Sequence, residues 1–144
     1  MLLKNQRRAK SLRQSKMRLS WLQKWVSKRK PWIFNNSKLP VWLSKLAPID
    51  IFALSFACFV FCRAKIPKIT ERHETIHYHQ QIELLFVVQW VLYFAFYLIG
   101  LVRYRDAKKA YKENPFEREA YSNAKKTKYL ENRPLWNWVS YIKG

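Results

Sequence analysis

All three histidines of the chain, His73, His77 and His79, fall inside one stretch, ITERHETIHYHQQIELL, from Ile69 to Leu85. His73-Glu74-Thr75-Ile76-His77 matches H-E-x-x-H. On a helix, positions four apart project from one face, offset by about 40°, so two imidazoles can grip one ion. The glutamate beside the first histidine can then reach a water on that ion and act as its general base. Zinc lowers the pKa of such a water towards ~7. His79 points elsewhere on a helix and is left out of the ligand set.

A catalytic zinc needs one more protein ligand and a position kept open for water. The extension H-E-x-x-H-x-x-G-x-x-H is absent, because Gln80 stands in place of the glycine and Glu83 in place of the last histidine. Glu83 lies more than two turns beyond His73 on a straight helix and cannot share the ion without a bend. The other candidates are Glu117 and Glu119 in NPFEREAY, on a second helix. Glu117 also has a capping explanation: Asn114 reads as the helix cap, and a glutamate three residues on is its usual partner. Tyr78 and Tyr121 could donate a proton to a developing oxyanion, or serve as packing or interfacial tyrosines. Gln80 and Gln81 continue the polar face of the histidine helix.

With its E-x-x-A at Glu117-Arg118-Glu119-Ala120, the chain resembles the gluzincin metallopeptidases, in which H-E-x-x-H is followed by a helix bearing E-x-x-A. The resemblance implies a minimal zincin-like helical core, zinc on His73, His77 and Glu117, and Glu74 as catalytic base. It also implies a peptide or protein substrate whose peptide bonds are hydrolysed through a metal-activated water. Tyr121 departs from the pattern, standing where the family often has Asp. Asn114-Pro115 is followed by Phe116-Glu117, so the N-P-D-G of membrane site-2 proteases is not matched. The succession HETIHYHQQIELL, an aromatic helix, NPFEREAY and YLENRPLWNW is also similar to small bacterial membrane proteins of no established activity. That likeness implies a place in the bacterial inner membrane.

These groups need elements to hold them. From Thr70 no Pro or Gly occurs before Gly100, and Thr70 with Glu71 and Glu74 predicts a helix start. The helix is expected to run unbroken into residues 84–102, LLFVVQWVLYFAFYLIGLV, where Gln89 is the single polar side chain. At 1.5 Å per residue that run covers about 28 Å, close to the hydrocarbon thickness of a bilayer. Trp90, Tyr93, Tyr97 and Tyr104, with Arg103 and Arg105, suit an interface. The chain is too small to wrap such a rod on all sides, so membrane insertion is the expectation. Asn114 and Pro115 start a further helix. RPLWNWVSYIKG predicts a last one, with Leu135, Trp138, Val139 and Ile142 on one face.

The predicted fold is mainly α, with one long membrane-inserted helix and one or two short strands within 31–68. IFALSFACFVFC, Ile51 to Cys62, is apolar but too short to span as a helix. Residues 1–30 read as a basic amphipathic or disordered segment, with Leu19, Leu22, Trp25 and Val26 at helical spacing and Met17 as an alternative start. Residues 31–144 read as one domain.

The net charge of +19 calls for an anionic neighbour, and anionic lipid headgroups fit best. The acid-free stretch from Met1 to Ile49 would also suit nucleic acid, but the long uncharged run does not belong in such a protein. Two glycines leave no phosphate-binding loop, and two cysteines make no disulfide framework. The competing expectation is a non-enzymatic basic membrane protein. Its zinc would be absent, or structural and closed by His79 or Glu119 as fourth ligand.

Overall fold

The computed structural model describes residues 20–46 and 52–142. The N-terminal reading over 1–19, including Leu19 and the alternative start at Met17, lies outside them. The chain is mainly helical with a small three-stranded sheet. Helix α1 occupies residues 20–27, and of its apolar side chains Val26 is buried while Leu22 and Trp25 are exposed. Strand β1 (Trp32–Phe34) and helix α2 (Leu39–Leu46) follow.

The apolar stretch before Cys62 resolves into a hairpin, β2 (Ala53–Phe56) and β3 (Phe59–Cys62). Ala57 turns it with a φ of 52°. Strand order is β1-β3-β2, with β1 parallel and β2 antiparallel to β3, so β2 forms one edge. One or two strands were expected here and three are present. Cys58 sits in the turn and Cys62 in β3, both as free thiols.

Helix α3 (Lys68–Glu83) starts two residues before Thr70, on Pro67, whose extended backbone suits the position before a helix. The expected unbroken helix does not form. The chain leaves α3 at Leu84, takes left-handed φ values of 52° at Leu85 and 60° at Phe86, and re-enters a helix as α4 (Val87–Tyr104). Val87 N donates to Leu85 O at 2.6 Å, closing a tight three-residue turn centred on Phe86. No glycine marks this break. Tertiary contacts impose it: Leu84 packs with Phe116 and Trp138, and Glu83 is held by Arg133 and by the Trp136 backbone N–H at 3.1 Å.

By length and composition α4 could cross a membrane, and only 11% of it is buried inside the protein, unlike a core helix. Arg105 ends α4 in a left-handed conformation, and Asp106 caps α5 (Ala107–Lys112) by accepting from the backbone N–H of Lys108 and Lys109. Helix α5 folds back on α4 where Gly100 meets Ala110; a Cβ on Gly100 would lie 3.0 Å from that of Ala110.

Helix α6 (Pro115–Asn123) starts as expected, with Asn114 capping the Phe116 N–H and Pro115 in the first turn. A short α7 (Tyr129–Asn132) and a 3-10 helix (Asn137–Tyr141) close the described chain. Only part of the face expected here is buried: the Trp138 ring lies tilted against Phe116, centroids 4.6 Å apart, whereas Val139 and Ile142 are exposed. The left-handed Trp136 and the tighter 3-10 winding rotate them away.

Candidate metal centre

His73 and His77 project from one face of α3, one turn apart, and α6 delivers Glu117 against them. The two Nε2 atoms are 3.1 Å apart. Glu117 Oε2 lies 3.3 Å from His73 Nε2, and Glu117 Oε1 lies 3.3 Å from His77 Nε2. Ligands on a tetrahedral zinc with bonds of roughly 2.0–2.2 Å sit roughly 3.3–3.5 Å apart, and each imidazole nitrogen stands at about that spacing from one oxygen of the Glu117 carboxylate. Glu117 Oε2 is buried and accepts no hydrogen bond among the described residues, as befits an atom kept for a cation. The group fits a metal ion by spacing, burial and donor type.

The parts come together for local reasons. Arg72 reaches from α3 to the end of α6, its Nε donating to Ala124 O at 2.6 Å. The capped start of α6 places Glu117 in the first turn of the helix. Tyr93 of α4 donates its hydroxyl to Glu117 Oε1 at 2.8 Å, and Asn114 Nδ2 donates to Tyr93 O at 3.0 Å. Glu117 therefore does not act as the reciprocal capping partner of Asn114; its carboxylate is turned to the histidines.

A chain of polar groups orients His77. The Nε2 of Gln80 donates to Phe116 O at 3.1 Å and to Glu119 Oε2 at 2.9 Å, which leaves its Oε1 as the acceptor facing His77 Nδ1 at 2.8 Å. Nδ1 must then carry the proton, and neutral His77 presents a lone pair on Nε2. Glu119 is in turn gripped by Arg133, with Nε at 2.7 Å and Nη2 at 3.1 Å. Arg133 also pairs with Glu83. Replacing Gln80 by Leu removes this brace, and affinity for a divalent metal ion should fall about 10–100-fold, the usual penalty for losing a group that orients a ligand. Competition with a chromogenic chelator would measure it.

The electrostatics of the three groups suit a cation. Burial raises the Glu117 carboxyl, but His77 and His73 outweigh it and hold the pKa well below the usual range. Burial lowers His77, yet the Glu117 carboxylate pushes it up to about 9. Because its folded pKa exceeds the ordinary 6.5, the proton's stabilisation of the metal-free protein is full below about 6.5 and lost as pH rises through about 9. A metal ion must displace that proton. Binding of a divalent metal ion at pH 7 should release about one proton and weaken as pH falls. Calorimetric titration in buffers of different ionisation enthalpy would count it, and zero release would contradict the arrangement. Glu74 is held above the ordinary carboxylate range by burial, which outweighs the lowering by His77 and His73; the Glu117 charge adds to the rise.

The cluster opens onto a cavity of about 470 Å³, with His73, Glu74, His77 and Glu117 among its lining groups. Edge strand β2 contributes Ala53, Leu54 and Ser55 to one wall, and α4 contributes Gln89, Trp90 and Tyr93 to another. Gln81 ties α3 to this strand by donating to Ser55 O and Oγ, each at 3.1 Å. Tyr121 lines the cavity with its ring edge-on to His73 at 4.6 Å, whereas Tyr78 is not among the lining groups. His79 is turned away, its Nε2 against Arg29 O at 2.9 Å. Neither His79 nor Glu119 joins the cluster.

Tyr93 was legible only as an interfacial aromatic, because nothing in an apolar run separates a tyrosine facing lipid from one facing a carboxylate. Gln89 did leave a signal, as the lone polar side chain of that run. Tyr111, which lines the cavity and is hydrogen-bonded to Tyr121, left none. Comparison of the chain with protein-family models, curated proteins and solved structures finds no match.

Proposed function

We propose that the chain is a membrane-associated zinc metallopeptidase of gluzincin type, acting on peptide bonds at the bacterial inner membrane, with His73, His77 and Glu117 as ligands. One observation carries this reading. Three ligands converge with no fourth among the described residues, and the side left open is the cavity that Glu74 also lines. A structural zinc closes its shell with protein, whereas a catalytic one keeps a place for water and substrate. That difference weighs against a purely structural clasp.

When bound, zinc would supply Lewis acidity, polarising a carbonyl and easing deprotonation of water. The chain's own residues would do the rest. Glu74, with its raised pKa, would take the proton from water and hand it to the leaving amine. Tyr121, whose ring lies edge-on to His73, would donate a hydrogen bond to oxygen developing negative charge. Strand β2 supports a peptide substrate. Arg63 N donates to Phe52 O, so by alternation the backbone groups of Ala53 and Ser55 point away from β3 to the open edge. Gln81 takes the Ser55 carbonyl, and Ala53 is left to pair with an extended chain in the cavity.

Glu74→Gln should cut peptide hydrolysis by about 100-fold to 10,000-fold, the usual share of a general base, with metal content unchanged. The readout is cleavage of a quenched fluorogenic peptide library beside elemental analysis of the same sample. Wild-type protein holding one zinc per chain but cleaving no peptide would leave the structural role instead.

A further inference from the structure

The two sides of α4 differ in kind along its length. On the covered side Gln89 is buried, Tyr93 is bonded to Asn114 and Glu117, and Gly100 lies against Ala110. Helix α5 and the start of α6 therefore run antiparallel to α4, from Ala110 beside Gly100 to Asn114 beside Tyr93. On the open side stand Val87, Val91, Phe94, Leu98 and Val102, a helical stripe from 44% to 81% exposed. A stripe this long and apolar on a free surface marks a contact with something apolar.

A spanning placement conflicts with this packing. It would put the middle of α4 at the bilayer centre and carry Ala110 to Asn114 to the same depth. Lys112 and Glu113 on that segment are exposed, and Arg118 and the metal ligands follow at the depth of Tyr93. Charged groups at that depth are costly. With α4 lying flat, its stripe meets acyl chains while α5, α6 and the metal centre face headgroups and water.

We infer that α4 is an in-plane anchor whose Val87–Val102 stripe lies in one leaflet of an anionic bilayer, rather than a membrane span. The chain's charge selects this occupant. A second copy would bring another +19 to the contact, whereas anionic headgroups bring the opposite sign. The stripe also ends at Arg103 and Arg105, both exposed to meet those headgroups. This deepens the membrane part of the proposed function and does not require hydrolysis.

The test adds full-length zinc-loaded protein to sealed vesicles of phosphatidylcholine and phosphatidylglycerol in a ratio of about 3:1. Arg105→Cys and Lys112→Cys, each in a Cys58→Ser, Cys62→Ala background, would be exposed to a membrane-impermeant maleimide from outside. Flotation with the vesicles and labelling as complete as in detergent is the expected result. Flotation with Arg105→Cys protected until detergent is added would mean a span and overturn the inference, as would failure to float. The double variant Val91→Glu, Leu98→Glu should lose at least about ten-fold in vesicle binding while keeping its zinc, and undiminished binding would also overturn it. Zinc content in the same preparations reports separately on the metal centre.

Discussion

Glu117→Ala should release the metal, lowering zinc affinity by more than about 100-fold, since even partners that only orient a ligand are worth about 10–100-fold. The physical reason is the closeness of two imidazole nitrogens at 3.1 Å with one carboxylate bridging both. Without that carboxylate, two neutral rings retain a cation poorly, and the Tyr93 hydroxyl loses its acceptor. Glu117→Gln keeps an oxygen for Tyr93 but no charge, and should fall between alanine and wild type. Glu119→Gln, two residues along the same helix, is the control. It alters the brace on Gln80 without removing a ligand, so its loss should stay within the 10–100-fold range. Zinc retained stoichiometrically and tightly by Glu117→Ala would remove the basis of the hydrolase reading.

The largest effect on stability is expected at Arg133. Its guanidinium is buried between two carboxylates, Glu83 and Glu119, which are themselves almost wholly covered. Glu119 also accepts from Tyr129 Oη at 2.6 Å and from Gln80, and Glu83 from the Trp136 backbone N–H. Such a cluster need not be more stable than a well-packed apolar one, but removing its single cation leaves two buried charges without a counter-ion. Arg133→Met should therefore destabilise the protein by about 3–5 kcal/mol, read as a shift in urea midpoint at constant slope. Combining it with Glu119→Gln should recover part of the loss, because the second change removes one stranded charge. Strict additivity of the two would show that Arg133 and Glu119 are not energetically coupled. Zinc affinity should drop with Arg133→Met too, since Glu119 would no longer hold Gln80 against His77.

These two residues show what was readable in the chain and what was not. H-E-x-x-H could be read as a ligand pair because helix geometry alone puts residues four apart on one face, and α3 does so for His73 and His77. The Asn114-Pro115 start of α6 was equally local, a cap and a proline in the first turn. Choosing Glu117 over Glu119 needed a resemblance, since both acids sit on the same helix and composition does not separate them. Arg133 was not singled out at all. An arginine before a proline carries no sign that two glutamates, fifty and fourteen residues away, will close on it.

The sequence by itself determined the helical character, the placing of His73 and His77 on one helix face, the helix start at Asn114, and an apolar run about as long as a bilayer is thick. Tertiary structure alone decided the break at Leu84–Phe86, where packing of Leu84 and capture of Glu83 override a run with no glycine or proline. It alone brought Glu117, Tyr93 and the edge of β2 to the imidazoles and laid α5 along α4. Hydrogen-bonding and spacing rules act over one or two turns, whereas these contacts join segments tens of residues apart, and only the folded chain brings such segments into register.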